Sequence, residues 1–142
     1  MYDDKKLNRF LIQQEGLYKI IIEELRKGEK RTHWMWFIFP QIKGLGYSKT
    51  SQFYDIESLE EAKAFIGHPV LGKRLIDCCE LLMKIQGRKI DQIFPKSPDD
   101  SKLRSSMTLF SVASPETIIF SAVLQKYFNG AKDQKTQQIL SL

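Results

Sequence analysis

The chain has 142 residues, the length of one ordinary domain, and 42% of them are hydrophobic and 27% charged. This composition excludes the fibrous and disordered classes, and no apolar run approaches the ~18 residues of a membrane span. The net charge of +5 suits weak attraction to a phosphorylated small molecule. Basic residues are spread along the chain with acidic residues among them, so charge alone does not indicate nucleic-acid binding.

The chain shows no repeat, no low-complexity tract and no linker, so we expect one domain over residues 1–142. Its polar N-terminus lacks the apolar core of a signal peptide. Cys78 and Cys79 are adjacent, and neighbours on a helix point about 100° apart, which makes them poor partners for a disulfide. Reduced, buried thiols are typical of a reducing compartment, and we therefore expect a cytoplasmic protein without membrane association.

Apolar residues from Leu7 to Leu25 recur at helical spacing and predict a first helix that Gly28 ends. Gly16 lies mid-pattern, where it could divide this helix in two. The segment 33–40 is apolar on all sides, which indicates burial as either a short helix or a strand. We expect the part from Trp34 to Phe39 to be almost fully buried. A loop at 44–48 follows.

Five later helix starts carry capping signals. Ser58 with Glu61 forms a capping box, and Asp133 is placed to cap a last helix reaching residue 142. Three further starts, at 68–69, 97–98 and 114–115, combine a capping residue with a proline at the first helical position. The sum is about six to eight short helices and at most two brief strands. The sequence therefore predicts an all-α or nearly all-α fold in a single compact domain.

The aromatic stretch 31–41 is the first unusual feature, and two interpretations of it stay open. Its rings either fill the centre of the core, or they form a pocket wall. In the second interpretation a nucleobase or nicotinamide stacks on Trp34 or Trp36, with His33 and Gln41 as polar contacts at the pocket mouth.

The stretch 99–110 is the second feature. Asp99 and Asp100 either cap a helix or form part of a polar site at its N-terminus. In that site Lys102 and Arg104 would hold a phosphate or carboxylate, beside the hydroxyl of Ser105.

The third feature is the stretch 41–48, where Gly44 and Gly46 would let a ligand approach the backbone and Lys43 and Ser48 could contact phosphate. An ordinary turn explains the same residues. The basic residues at 26–27 and 30–31 are interpreted as solvated helix ends. The two histidines and the adjacent cysteines do not have the spacing of a tetrahedral metal site, and we expect neither a metal nor a cofactor.

These stretches resemble a bacterial family of unknown function that is sometimes labelled "calpastatin". The resemblance is carried by HWMWFIFPQ at 33–41, by the glycine loop, by residues 68–75 and by PDDSKLRSSMTLF at 98–110. The label implies no calpain inhibition, because such inhibitors are long disordered repeats. The order of features is also similar to that of helical enzymes that process NAD-derived and ADP-ribosyl compounds. The Glu-His pair expected near the aromatic segment of those enzymes is absent here.

The first hypothesis is binding or processing of a nucleotide-derived ligand such as ADP-ribose. A glycosidase-like hydrolase would use Asp99 or Asp100 as its carboxylate, with His33 beside it. The residues expected to converge on one pocket are His33, Trp36, Gln41, Ser48, Asp99, Lys102, Arg104 and Ser105. A non-enzymatic interaction or structural module, with a homodimer possible, is the alternative, and nucleic-acid binding ranks last.

Overall fold

The computed structural model describes residues 4–46 and 48–141, so Tyr47 of the predicted loop lies outside the described residues. A 3-10 helix at Asp4–Leu7 precedes nine α-helices in this part of the chain. They are α1 Asn8–Lys27, α2 Met35–Ile38, α3 Lys49–Phe53, α4 Leu59–Gly67, α5 Leu71–Lys84, α6 Ile90–Ile93, α7 Asp99–Ala113, α8 Ile119–Phe128 and α9 Gln134–Ile139.

The all-α class predicted from the sequence is confirmed. Over the same residues no strand forms, and Ile42 and Ile56 make a single isolated parallel bridge. The helix count exceeds the predicted six to eight because short helices such as α3 and α6, of five and four residues, follow no start signal identified above. No helix in the described ranges combines the length and the apolar character needed to cross a bilayer.

Helix α1 runs unbroken through Gly16, whose position is exposed and has no heavy atom within 4 Å of an added Cβ. The helix ends where predicted. Gly28 takes a left-handed φ of 77°, and its N–H donates to the carbonyls of Glu24 and Leu25. That conformation costs glycine little, which is why it stops the helix here.

Two predicted caps are confirmed. The Ser58 hydroxyl accepts the Glu61 N–H of α4 at 3.2 Å, and the Asp133 carboxylate accepts the Thr136 N–H of α9 at 2.9 Å. The Glu61 carboxylate also accepts the Glu57 N–H and pairs with Arg9, each through Oε1.

The three starts that contain a proline were predicted too early. Helix α5 begins at Leu71, and the His68 ring accepts the backbone N–H groups of Val70 and Leu71 through Nδ1. Helices α7 and α8 begin at Asp99 and Ile119, after the turns that hold their prolines. A φ near −65° suits a turn as well as a first helical residue, so proline alone does not place the start.

Helix α7 lies at the centre of the fold and contacts α2, α4, α8 and α9. Leu103, Met107 and Phe110, which share one face of the helix, are fully buried. From Leu103 onward most other positions of the helix are buried too, and a helix buried on nearly all sides is a core helix. The described core residues form one hydrophobic cluster around it.

The aromatic segment is buried as predicted, with one exception. Trp34, Met35, Ile38 and Phe39 are at most 1% exposed, whereas Trp36 is only partly buried. The segment forms the short helix α2 at its centre.

Glu24 holds the start of the aromatic segment. Its carboxylate accepts the Trp34 indole N–H at 2.8 Å and the backbone N–H groups of Arg31 and Thr32. Burial of this carboxylate favours its neutral form, but these hydrogen bonds outweigh that effect and lower the pKa of Glu24 below its ordinary value. Trp34 is therefore part of the core and has no exposed ring face on which a base could stack, contrary to the pocket-wall interpretation of this residue.

Cys78 and Cys79 are both buried and form no disulfide, in agreement with the interpretation as core thiols. Burial raises the pKa of both thiols well above their ordinary value. A thiol that stays protonated is a poor nucleophile, so neither cysteine is a candidate for catalysis.

Candidate functional site

Four of the predicted ligand contacts meet at one cavity of about 460 Å³. They are Gln41, Ser48, Lys102 and Ser105, which come from two stretches more than fifty positions apart. The volume falls within the ~300–1,000 Å³ typical of small-molecule sites. The other lining residues are Leu45, Gly46, Ser51, Pro98, Ser101, Asp133 and Lys135.

The loop wall of the cavity depends on Gly46. A Cβ added there would lie 2.1 Å from the Ser51 hydroxyl oxygen and 2.7 Å from the Ser51 Cβ. Only a residue without a side chain lets the loop lie this close to α3. The Ser48 hydroxyl in turn accepts the Ser51 N–H at 3.1 Å and caps α3. Gly46 and Ser48, which the sequence predicted to lie against a ligand, thus also determine the conformation of the loop.

The first turns of α7 provide the second wall and its charge. The Lys102 ammonium lies 4.5 Å from the centre of the Trp36 ring and 3.8 Å from an Asp99 carboxylate oxygen. A cation over an indole face is an attractive contact. Because Lys102 covers this face, the predicted stacking of a base on Trp36 is corrected: the tryptophan supports the lysine.

Asp99 bridges Lys102 to a buried lysine that the sequence analysis placed among solvated helix ends. The Lys30 side chain is 4% exposed, and its ammonium lies 2.8 Å from the second Asp99 oxygen. The Lys30 backbone N–H donates to the Ile93 carbonyl at 2.7 Å. A buried charge is retained only when it is paired, so Lys30 and Asp99 require each other. With a lysine on each oxygen, Asp99 fixes the base of α7 and is poorly suited to act as a general base.

Helix α9 and the turn before it form the third wall, through Asp133 and Lys135. Neither was among the predicted ligand contacts, although Asp133 was identified as a cap. The N-terminal residues Ser48, Pro98 and Asp133 of three helices all line the cavity. The helix starts predicted at 97–98 and at Asp133 thus lie beside the cavity, but nothing in their spacing shows that they meet.

Arg104 and Asp100 do not line this cavity. The Arg104 guanidinium donates to the carbonyls of Ala131 and Lys132, at 2.9 and 3.2 Å. Its predicted contact with phosphate is therefore corrected to a contact with the protein's own backbone. Asp100 accepts the Ser101 N–H at 2.9 Å and faces a separate cavity beside Tyr127. His33 is exposed and is likewise absent from the cavity lining.

Lys43 lines a second cavity of about 490 Å³. Around it lie Arg9, the exposed ring of Phe53 and the buried side chain of Asp55. Burial raises the pKa of the Asp55 carboxyl to about 6, and the positive charges of Lys43 and Arg9 offset that rise only in part. Folding thus favours the protonated form of this acid.

We expect Asp55→Asn to be more stable than the wild type above about pH 7 and equally stable near pH 4. The pKa of Asp55 is raised on folding, so its contribution is complete below the unfolded pKa of about 4 and is lost as the pH rises through about 6. The two-unit shift corresponds to about 2–3 kcal/mol. Urea unfolding from pH 4 to 8 measures the difference, and a constant gap between the two proteins would contradict it.

The charged and sulfur-bearing groups do not gather into a metal site. Nowhere in the described part of the chain do three His, Cys, Asp or Glu side chains come together in a way that could hold a metal ion.

Two comparisons with known proteins match nearly the whole chain. A family model described as "Protein of unknown function (DUF1810)" matches residues 4–140. The crystal structure at 1.38 Å of the conserved hypothetical protein Rv1873 from Mycobacterium tuberculosis is similar, with 48% sequence identity and a TM-score of 0.95. The match covers 99% of each chain. No curated protein matches the chain significantly.

Proposed function

This chain belongs to the DUF1810 family, and on that premise we propose that it binds a small phosphorylated molecule derived from a nucleotide, such as ADP-ribose. The observation that carries the proposal is the cavity of about 460 Å³, where Lys102 and Lys135 stand among serine hydroxyls. Ammonium groups and hydroxyls are the ligands that phosphate oxygens take in proteins.

The α7 side of the cavity suits a phosphate group. Ser101 and Ser105 lie on the first two turns of this 15-residue helix, whose N-terminal end carries partial positive charge. The Ser105 hydroxyl donates to the Ser101 carbonyl at 3.1 Å, so its oxygen remains an acceptor for a ligand hydroxyl. Asp99 and the Trp36 ring hold the Lys102 ammonium in place, so its position is fixed before a ligand binds.

We propose binding and not bond cleavage as the primary role. Cleavage of a glycosidic bond requires a carboxylate near the anomeric carbon. Asp99 is occupied by Lys30 and Lys102, and Asp133 is the one carboxylate among the cavity-lining residues of the described chain. One oxygen of Asp133 already accepts the N–H and the hydroxyl of Thr136. A carboxylate held in this way is suited to accept a hydrogen bond from a sugar hydroxyl.

Titration calorimetry with ADP-ribose, NAD, ADP and ribose 5-phosphate tests the proposal. We expect Lys102→Met and Lys135→Met each to weaken binding by about tenfold or more, since a hydrogen bond to a charged group contributes about 1.5–3 kcal/mol. Lys19→Met is the matched control, because Lys19 is exposed on α1 and does not line the cavity. Absence of binding by all four compounds at millimolar concentration would refute the proposal. Equal affinities of the three variants would also refute it.

The exposed apolar side chains do not favour the alternative of an interaction module. The large ones found in the described residues are spread over α1, α3, α9 and the turn before α8. A docking surface would require them to be contiguous. These residues are Ile12, Ile20, Phe53, Ile118 and Ile139.

A further inference from the structure

The side chain of Gln41 has no hydrogen-bond partner among the described residues that would explain its burial. The residue is 8% exposed, and its backbone carbonyl accepts the Ile56 N–H at 2.8 Å. Within residues 4–46 and 48–141 no group makes a hydrogen bond to its carboxamide. Gln41 nevertheless lines the cavity, and its amide atoms are accessible from it. The carboxamide is therefore open to whatever occupies the cavity.

An amide that faces a cavity and has no protein partner forms its hydrogen bonds with whatever fills the cavity. Native proteins satisfy nearly all such groups, with protein atoms, water or a ligand. A carboxamide offers two donors and one acceptor in a plane, and it therefore recognises a flat group that presents an acceptor beside a donor.

The positively charged side chains and the uncharged amide lie on different walls of the cavity. Both lysines stand on the helical walls, Lys102 on α7 and Lys135 on α9. On the loop wall, Gln41 is polar but uncharged, and Leu45 and Gly46 supply apolar surface beside its amide. This division fits a ligand with an anionic end toward the helices and a neutral, planar end toward the loop.

We propose that Gln41 is the specificity-determining residue of the cavity and that it selects an adenine base. Its carboxamide oxygen accepts from the 6-amino group of adenine while its NH2 donates to the adjacent ring nitrogen. Glutamine pairs with adenine in this complementary way in nucleic-acid recognition. A purine base without the 6-amino group leaves the glutamine oxygen without a donor. This inference rests on the proposed binding of a nucleotide-derived ligand.

Affinities of ADP and of purine riboside diphosphate test the assignment, because the two differ only in the 6-amino group of the base. We expect the wild type to prefer ADP by about tenfold or more, the ratio typical of one well-placed bidentate pair. Gln41→Met, which is close in shape, is expected to abolish the preference and to leave the affinity for ribose 5-phosphate unchanged. Lys102→Met is the control, since it should weaken both diphosphates equally.

The outcomes separate the two proposals. If ADP and purine riboside diphosphate bind equally to the wild type while Lys102→Met weakens both, the phosphate site stands and the role of Gln41 is refuted. An equal loss of ADP and ribose 5-phosphate in Gln41→Met would refute it as well. If no phosphorylated compound binds, both proposals fail. Thermal melting establishes that Gln41→Met is folded, and the wild-type preference decides the question even if that variant is not.

Discussion

Trp34→Ala is expected to lower the free energy of unfolding by about 3–5 kcal/mol, the range for truncating a buried aromatic residue. Trp34 is fully buried, and its ring centre lies 6.2 Å from those of Phe39 and Phe94. The truncation also removes the indole N–H from Glu24, leaving a buried carboxylate with one donor fewer. Equilibrium unfolding in urea, followed by circular dichroism, measures the loss.

Trp36→Ala is the matched control and is expected to lose less, although the sequence predicted the whole part from Trp34 to Phe39 to be almost fully buried. Trp36 is only partly buried, and its indole N–H has no partner among the described residues. The truncation separates Lys102 from the indole ring, and a cation over an aromatic face contributes about 0.5–1 kcal/mol at exposed sites. A loss in Trp36→Ala equal to or larger than that in Trp34→Ala would contradict the assignment of the core tryptophan.

Gly72→Ala is expected to destabilise the protein by about 3 kcal/mol or more, at the upper end for overpacking a core. A Cβ on Gly72 would lie 1.8 Å from the Ile66 carbonyl oxygen and 2.7 Å from its carbonyl carbon. Both are backbone atoms, so relief requires α4 and α5 to move apart. Thermal and urea unfolding of the purified variant measure the effect.

Gly16→Ala makes the same chemical change where there is room. Gly16 is exposed in the middle of α1, and no heavy atom lies within 4 Å of an added Cβ. Alanine is expected to raise stability there by about 0.5–1 kcal/mol, because it restricts the unfolded chain more than glycine does. Similar stability changes in the two variants would show that helix propensity, and not the contact with Ile66, determines the result.

The elements predicted well are those specified by short-range signals. Gly28 ends α1, and Ser58 and Asp133 cap α4 and α9, because each interaction joins residues within four positions of one another. The contact of Lys30 with Asp99 joins residues 69 positions apart. Spacing carries no information on such a pair, so Lys30 was predicted to be solvated.

The candidate site could be predicted in part for the same reason. Ser101, Lys102 and Ser105 recur at three and four positions, so they share a face of α7 and reach the cavity together. Arg104 lies about 100° from Ser105 around the helix axis and faces residues 131–132 instead. Which face of α7 meets the loop 41–48 depends on tertiary packing, which no single stretch of sequence encodes.

Arg104 bears on the proposed binding although it does not line the cavity. It holds the carbonyls of Ala131 and Lys132, and the Thr108 hydroxyl accepts the Asp133 N–H at 2.9 Å. The wall that carries Asp133 is thereby fixed to the central helix in the absence of any ligand. The entropic cost of ordering that wall arises when the protein folds, so it does not weaken the binding of a ligand afterwards. Such preorganisation favours tight binding from few contacts.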